Sequence, residues 1–229
     1  MAASETFDLR GPAGRLEAVL MYPEVTPLAA AVVCHAHPLQ GGTMHFKVVF
    51  RAAKALQSAG LAALRFNFRG VGRSEGAHDH GAGEQEDARA ALLEMEDRFP
   101  GLPLVLGGFS FGSAVALRVA ARDARVRAVF ALGLPLRMVD DRLPGASPSS
   151  LDEGRAPLGE VRQPRLFVQG ERDEFGAGEA LRVLVEPLPP PRELVVVPGA
   201  DHFFDGQLDA LQGAVANWAE ARPWEAPPA

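Results

Sequence analysis

Ser110 sits in Gly108-Phe109-Ser110-Phe111-Gly112, at the end of the apolar run Leu102 to Gly107 and just before a helix-like stretch, Ser113 to Arg122. A serine flanked by glycines can occupy a very sharp strand-to-helix turn, where side chains at the glycine positions would clash. Such a turn holds the hydroxyl out of the sheet, within reach of both a base and a substrate carbonyl. A serine hydroxyl at its ordinary pKa is a weak nucleophile. It needs a base, most often histidine, and that base needs a carboxylate to orient it.

In sheets of this kind the three groups follow one another as Ser, then Asp or Glu, then His. Of the six histidines, only His202 comes after Ser110. It lies in Val197-Pro198-Gly199-Ala200-Asp201-His202-Phe203-Phe204, just past the last expected strand. The plainer reading is a turn histidine or a capping Asp-His pair; order and position favour a base. For the acid, Asp173 follows the run Leu166 to Gln169 in Gly170-Glu171-Arg172-Asp173-Glu174. Glu171 and Glu174 in the same turn are alternatives, as are Asp140, Asp141 and Asp152.

The tetrahedral intermediate of acyl transfer needs two backbone donors. One is expected from the N–H of Phe111, the residue after the nucleophile. The other is expected from the loop His35-Ala36-His37-Pro38-Leu39-Gln40-Gly41-Gly42. Pro38 has no N–H to give, so Leu39 is the expected second donor. His37, Met44, Phe109, Leu134 and Phe203 are the expected substrate-pocket residues, although apolar residues near strand ends are more often core.

His35 and His37 raise a competing chemistry. An H-x-H pair on extended backbone puts both rings on one face and can bind zinc, with His45, or His78 and His80, completing the set. No acid or thiolate stands at a metal-like spacing, so the expectation is no metal, with these rings hydrogen-bonding backbone. Cys34 reads as a buried strand residue, since no base is implied for it.

Short apolar, β-branched runs alternate with longer amphipathic ones, which predicts parallel βαβ units. Strands are predicted at Leu16–Met21, Ala29–Cys34, Ala62–Phe68, Leu104–Gly108, Ala128–Leu132, Leu166–Gln169 and Leu194–Val197. Several are continuously apolar, as strands covered on both faces are. Helices are predicted at Lys47–Ala59, Glu84–Phe99, Ser113–Ala121, Glu179–Leu184 and Leu208–Glu220. The fold class expected is α/β, a mostly parallel twisted sheet of about seven or eight strands with helices on both faces. Residues 1–229 are expected to form one domain, with a short irregular insertion at about 136–163, a minimal cap, and a frayed tail at about 223–229.

Composition narrows the partners. With 47 % apolar and 23 % charged residues the chain reads as an ordinary globular protein. A net charge of −6 without a basic cluster argues against nucleic acid. A single cysteine excludes an intrachain disulfide. The first ten residues carry no signal-like apolar stretch, and no window approaches the roughly 18 apolar residues of a membrane span. A cytoplasmic, membrane-free protein is expected, as a monomer or homodimer.

Three segments carry a family resemblance: His35 to Gly42, Arg65-Phe66-Asn67-Phe68-Arg69-Gly70-Val71-Gly72-Arg73-Ser74-Glu75-Gly76, and Gly107 to Gly112. With them the chain resembles the α/β-hydrolase superfamily, in particular its small, nearly lid-less bacterial branch of dienelactone-hydrolase-like and carboxylesterase-like proteins. The likeness runs from about Leu16 to Trp218. It implies Ser110, Asp173 and His202 as nucleophile, acid and base, Leu39 and Phe111 as oxyanion donors, and no cofactor. Two departures stand out: His-Pro replaces the His-Gly of many relatives, and dienelactone hydrolases proper use cysteine where this chain has Ser110. The Asn67 to Gly76 segment reads as structural, a tight connection permitted by its glycines.

The expected activity is a serine hydrolase cleaving a small ester or thioester through an acyl-enzyme. Thioesterase, peptidase and acyltransferase chemistry would use the same residues. A non-catalytic binding module or a zinc hydrolase are the more distant alternatives. The short insertion points to an open cleft and small, soluble substrates.

Overall fold

The continuously apolar runs become the centre of one sheet. The computed structural model describes residues 3–139 and 157–224. Eight strands, β1 (Ser4–Gly11), β2 (Gly14–Met21), β3 (Ala30–Cys34), β4 (Ala62–Phe66), β5 (Leu104–Phe109), β6 (Val126–Leu132), β7 (Arg165–Gly170) and β8 (Arg192–Val197), lie in the order β1-β2-β4-β3-β5-β6-β7-β8. The pairings β1–β2 and β2–β4 are antiparallel; from β4 to β8 all are parallel.

Five helices cover the sheet: α1 (Lys47–Ser58), α2 (Ala82–Arg98), α3 (Phe111–Ala120), α4 (Gly178–Val185) and α5 (Leu208–Glu220). Strand side chains alternate between faces, and the two cores follow that alternation. Ala30, Val32 and Cys34 join the core beneath α2, α3 and α4, while Ala31 and Val33 join the one beneath α1 and α5. Because both faces are buried, β3 and β4 show no polar–apolar alternation. Helix α1 is also tied to α5 and to the turn that precedes it. Lys47 pairs with Asp205, and Arg51 donates to Asp209 at 2.8 Å and to Gln212 at 2.9 Å.

Two sequence expectations need revision, and a third lies largely outside the described residues. The N-terminal strand β1 was not expected. It is an edge strand whose only buried residue is Leu9, so its apolar signal is thin. Helix α2 starts at Ala82 rather than Glu84, because the buried Glu84 carboxylate turns back to accept from the Gly81 N–H at 2.6 Å and the Asp79 N–H at 3.1 Å. Only the ends of the expected insertion are described, beginning with a single 3₁₀ turn at Leu136–Met138. Asp140, Asp141 and Asp152, the alternative acids there, lie outside the described residues, as does most of the expected tail. Among the described residues, no helix is long and apolar enough to cross a membrane.

The parallel register levels the strand ends that matter. Cys34 pairs with Gly108, Phe109 with Leu132, and Gly170 with Val197. The loops after β3, β5, β7 and β8 therefore leave the same edge of the sheet, the edge on which open parallel sheets build their sites.

Candidate active site

Ser110 occupies the one-residue turn between β5 and α3 with φ 55° and ψ −121°, a region costing a non-glycine residue about 1–3 kcal/mol. Close packing enforces it. A Cβ on Gly108 would lie 2.6 Å from Gly112 backbone and 2.7 Å from the Cys34 carbonyl oxygen. A Cβ on Gly112 would lie 2.4 Å from the His35 carbonyl oxygen. The glycines let the β5–α3 turn lie directly against the end of β3, and the Ser110 side chain is left half-buried at the rim.

The two partners expected from sequence meet it there. Ser110 Oγ lies 2.9 Å from His202 Nε2, and His202 Nδ1 lies 2.8 Å from Asp173 Oδ2. A carboxylate accepts hydrogen bonds, so Nδ1 carries the proton and Nε2 is left to accept from the Ser110 hydroxyl. His202 and Asp173 are each only 3 % exposed. The imidazole is walled by aromatic rings, with centroids of Phe175 at 4.5 Å, Phe109 at 5.0 Å and Phe203 at 5.2 Å.

The other acids near His202 hold backbone. Glu171 accepts from the Gly199 N–H at 2.7 Å, Glu174 from the His202 N–H at 3.4 Å, and Asp201 from the N–H groups of Phe203 and Asp205 at 3.0 Å each. Among the described residues, Asp173 is the acid whose carboxylate meets the ring.

Sequence reasoning missed Gln169. It is fully buried near the end of β7. Its Oε1 accepts from the Leu134 N–H at 2.9 Å, and its Nε2 donates to Asp173 Oδ2 at 2.9 Å and to the Gly176 carbonyl at 2.7 Å. The second Asp173 oxygen accepts from the Phe175 N–H at 2.8 Å. The one sequence signal was a glutamine directly after the apolar run Leu166 to Val168.

The loop after β3 departs from expectation. Leu39 is 73 % exposed, and its N–H donates to His37 Nδ1 at 3.2 Å within the 3₁₀ turn Pro38–Gln40. That amide is used locally. His37 itself lines the cleft with Ser110 and Phe111, its ring 5.1 Å from that of Phe111. The His37 carbonyl faces into the loop, accepting from the Gln40 and Gly42 N–H groups.

Of the expected pocket residues, His37, Phe109 and Phe203 line the cleft, joined by Gln40, Phe46, Arg137, Met138 and Phe175. Met44 and Leu134 do not; both are core residues, at 1 % and 0 % exposure. Met44 is pinned by backbone bonds to Asn67 and Arg65, and Leu134 by Gln169, so neither side chain turns outward. The Asn67 to Gly76 connection is structural: Asn67 also bonds Glu17, Ser74 bonds the Asn67 carbonyl, and Arg69 clamps Asp87.

His35 is fully buried, its Nδ1 donating to the Ala36 carbonyl at 2.6 Å and its Nε2 accepting from the Phe68 N–H at 3.0 Å. Both nitrogens are spent on backbone, so His35 has none left for a metal. Burial also drives its pKa down to about 4. Burial lowers the His37 pKa as well, with His78 adding repulsion, and pushes the Cys34 thiol far up, so Cys34 is an inert core residue.

Comparison with known proteins gives a consistent picture. A family model for an alpha/beta hydrolase domain matches residues 29–221. A structure described as an alpha-beta serine hydrolase homologue from Coxiella burnetii is 38 % identical, with a TM-score of 0.81 over 93 % of this chain and 96 % of that one. A serine hydrolase without a lid from Xanthomonas campestris is 35 % identical, with a TM-score of 0.80 over 96 % of this chain and 97 % of that one. An uncharacterised protein of Rickettsia prowazekii is 32 % identical, the match covering 91 % of this chain and 85 % of that protein.

Proposed function

The chain belongs to the alpha/beta hydrolase family, and on that basis we propose that it is a serine hydrolase cleaving small esters through a covalent acyl-enzyme. The observation that carries this reading is the unbroken hydrogen-bonded chain Ser110–His202–Asp173, set on a strained turn beside a cleft. The hydrolase relatives support hydrolysis as the reaction class.

In this mechanism Ser110 Oγ attacks the ester carbonyl as its proton passes to His202 Nε2. Asp173 holds the ring in the required tautomer and stabilises the imidazolium that forms. The C–O bond to the alcohol then breaks, and the alcohol leaves with the proton from His202. Water, deprotonated by the same nitrogen, attacks the acyl-enzyme and releases the acid.

The Phe111 N–H, at the first position of α3, is one oxyanion donor; a helix's first N–H groups have no intrahelical acceptor. We assign the second to the His37 N–H in place of Leu39, whose amide is held by the His37 ring. Each donor contributes about 3 kcal/mol to barrier lowering. Phe46 stacked on Phe109 at 5.5 Å gives the cleft an apolar wall, suited to a short acyl or alkyl chain.

The test is a panel of short p-nitrophenyl esters and acyl-CoA thioesters, run on the wild type and on Ser110→Ala. Turnover of acetyl and butyryl esters, lost in the variant, is the expected result. Wild-type rates in the variant would overturn the mechanism. A strong preference for acyl-CoA substrates would shift the reading to a thioesterase.

A further inference from the structure

The protein carries a net charge of −6, yet among the described residues no Asp or Glu lines the Ser110 cleft. The cleft's permanently charged side chain is a cation, Arg137. Its guanidinium stands over the Phe175 ring at 5.3 Å, and that ring packs 4.5 Å from His202. Among the described residues Arg137 forms no ion pair. Arg69, by contrast, is clamped by both oxygens of Asp87. His37 adds a second donor to the cleft. Its Nδ1 accepts from the Leu39 N–H, so in the neutral ring Nε2 carries the proton. The two groups are close enough that the Arg137 charge opposes protonation of His37, behind the larger effects of burial and His78, which also oppose it, and of the Glu84 carboxylate, which favours it.

We propose that this cleft selects esters bearing a second, anionic group, a carboxylate, which pairs with Arg137 and accepts from His37 Nε2–H. The inference rests on the reading of Ser110 as nucleophile and names its substrate class. A guanidinium offers a planar, two-pronged match to a carboxylate, and this ring-backed guanidinium, with no carboxylate partner among the described residues, has that match to offer to the substrate. In the reaction, water adds across the acyl C–O bond as before. The acyl carbon keeps the water oxygen as a carboxylate, the alcohol takes one of the water's protons, the other is released to solvent, and the recognised anion is unchanged.

The test uses two matched pairs. Monoethyl glutarate against ethyl 4-carbamoylbutanoate places the charge on the acyl side. 3-Acetoxybenzoate against 3-acetoxybenzamide places it on the leaving group. The readout is the ratio of kcat/KM for the acid over that for its neutral amide, measured in wild type, Arg137→Gln and Arg137→Lys. In wild type a ratio of about ten or more is expected for at least one pair, expressed mainly in KM. It should shrink as salt rises from about 0.05 M to about 0.5 M. In Arg137→Gln it should fall towards one, with partial recovery in Arg137→Lys. A wild-type ratio near one for both pairs overturns the inference, as does an undiminished ratio in Arg137→Gln. A variant losing both members of a pair equally also overturns it, since Arg137 would then be structural. These outcomes leave the Ser110 mechanism standing. That mechanism fails if Ser110→Ala still cleaves the ester bond of the neutral members of each pair at the wild-type rate, and the inference then falls with it.

Discussion

Gln169 and His202 reach the same oxygen of Asp173: the Gln169 amide donates to Oδ2 at 2.9 Å, and the His202 ring at 2.8 Å. Gln169 thus fixes the carboxylate that fixes the ring. Replacing Gln169 with Leu keeps the volume but leaves the buried Asp173 oxygen and the Leu134 N–H short of partners. A buried hydrogen bond to a charged group contributes about 1.5–3 kcal/mol. The expected outcome is a kcat about tenfold or more lower on a short ester, a smaller change in KM, and a lower melting temperature. Unchanged kcat in a folded variant would remove Gln169 from the positioning of Asp173.

The turn that carries Ser110 should tolerate no Cβ. Gly112→Ala drives a methyl into the backbone of His35 and Cys34, and these atoms belong to a sheet strand and the loop after it, which cannot withdraw easily. A loss of about 3 kcal/mol is expected in urea unfolding, together with loss of activity. Gly213→Ala in α5 has nothing within 4 Å of the added atom and should instead gain up to about 1 kcal/mol. Equal effects at the two sites would contradict this reading of the packing.

His35 should make stability fall with acid. Its folded pKa is depressed to about 4 by burial, against 6.5 when exposed. Between those values the unfolded chain binds a proton that the folded chain refuses, so this contribution is complete above about pH 6.5 and lost as pH falls towards 4. From pH 7 to pH 5 the loss attributable to this residue is about 2 kcal/mol. Urea unfolding of His35→Gln, whose amide oxygen can still accept from the Phe68 N–H, should show a correspondingly flatter slope over that range. A slope equal to wild type would contradict it.

Ser110 and His202 should behave as one unit. On a short ester, each alanine variant is expected to lose about 10⁴-fold or more in kcat, and the double variant little beyond the worse single one. Multiplicative losses in the double variant would mean that the 2.9 Å contact between them has no catalytic role.

Much of this site could be read from the chain, and the rest could not for identifiable reasons. Ser110, Asp173 and His202 each follow the end of an apolar run, and parallel register brings such ends to one edge; order did not separate Asp173 from Glu171 and Glu174, which the structure shows holding backbone. The second oxyanion amide depends on how the His35 to Gly42 loop curls. Elimination of Pro38 pointed to Leu39, but the Leu39 amide turns back onto the His37 ring. Met44 and Leu134 have the composition of pocket residues and the neighbours of core ones, because the bonds holding their backbones come from Asn67, Arg65 and Gln169, far away in sequence. Strand β1 alternates Phe7 and Leu9 with polar residues, a weak signal for an edge strand with one buried side chain.

The most direct measurement is covalent labelling of the hydroxyl. Wild type and His202→Ala are treated with diethyl p-nitrophenyl phosphate, an electrophile that phosphorylates activated serines, and the intact mass and peptide map are recorded. The expected result is a single diethylphosphoryl adduct on the peptide containing Ser110, formed in wild type with loss of ester hydrolysis and strongly slowed in His202→Ala. An unlabelled Ser110 in active enzyme, or labelling that proceeds equally without His202, would contradict a serine activated by that histidine.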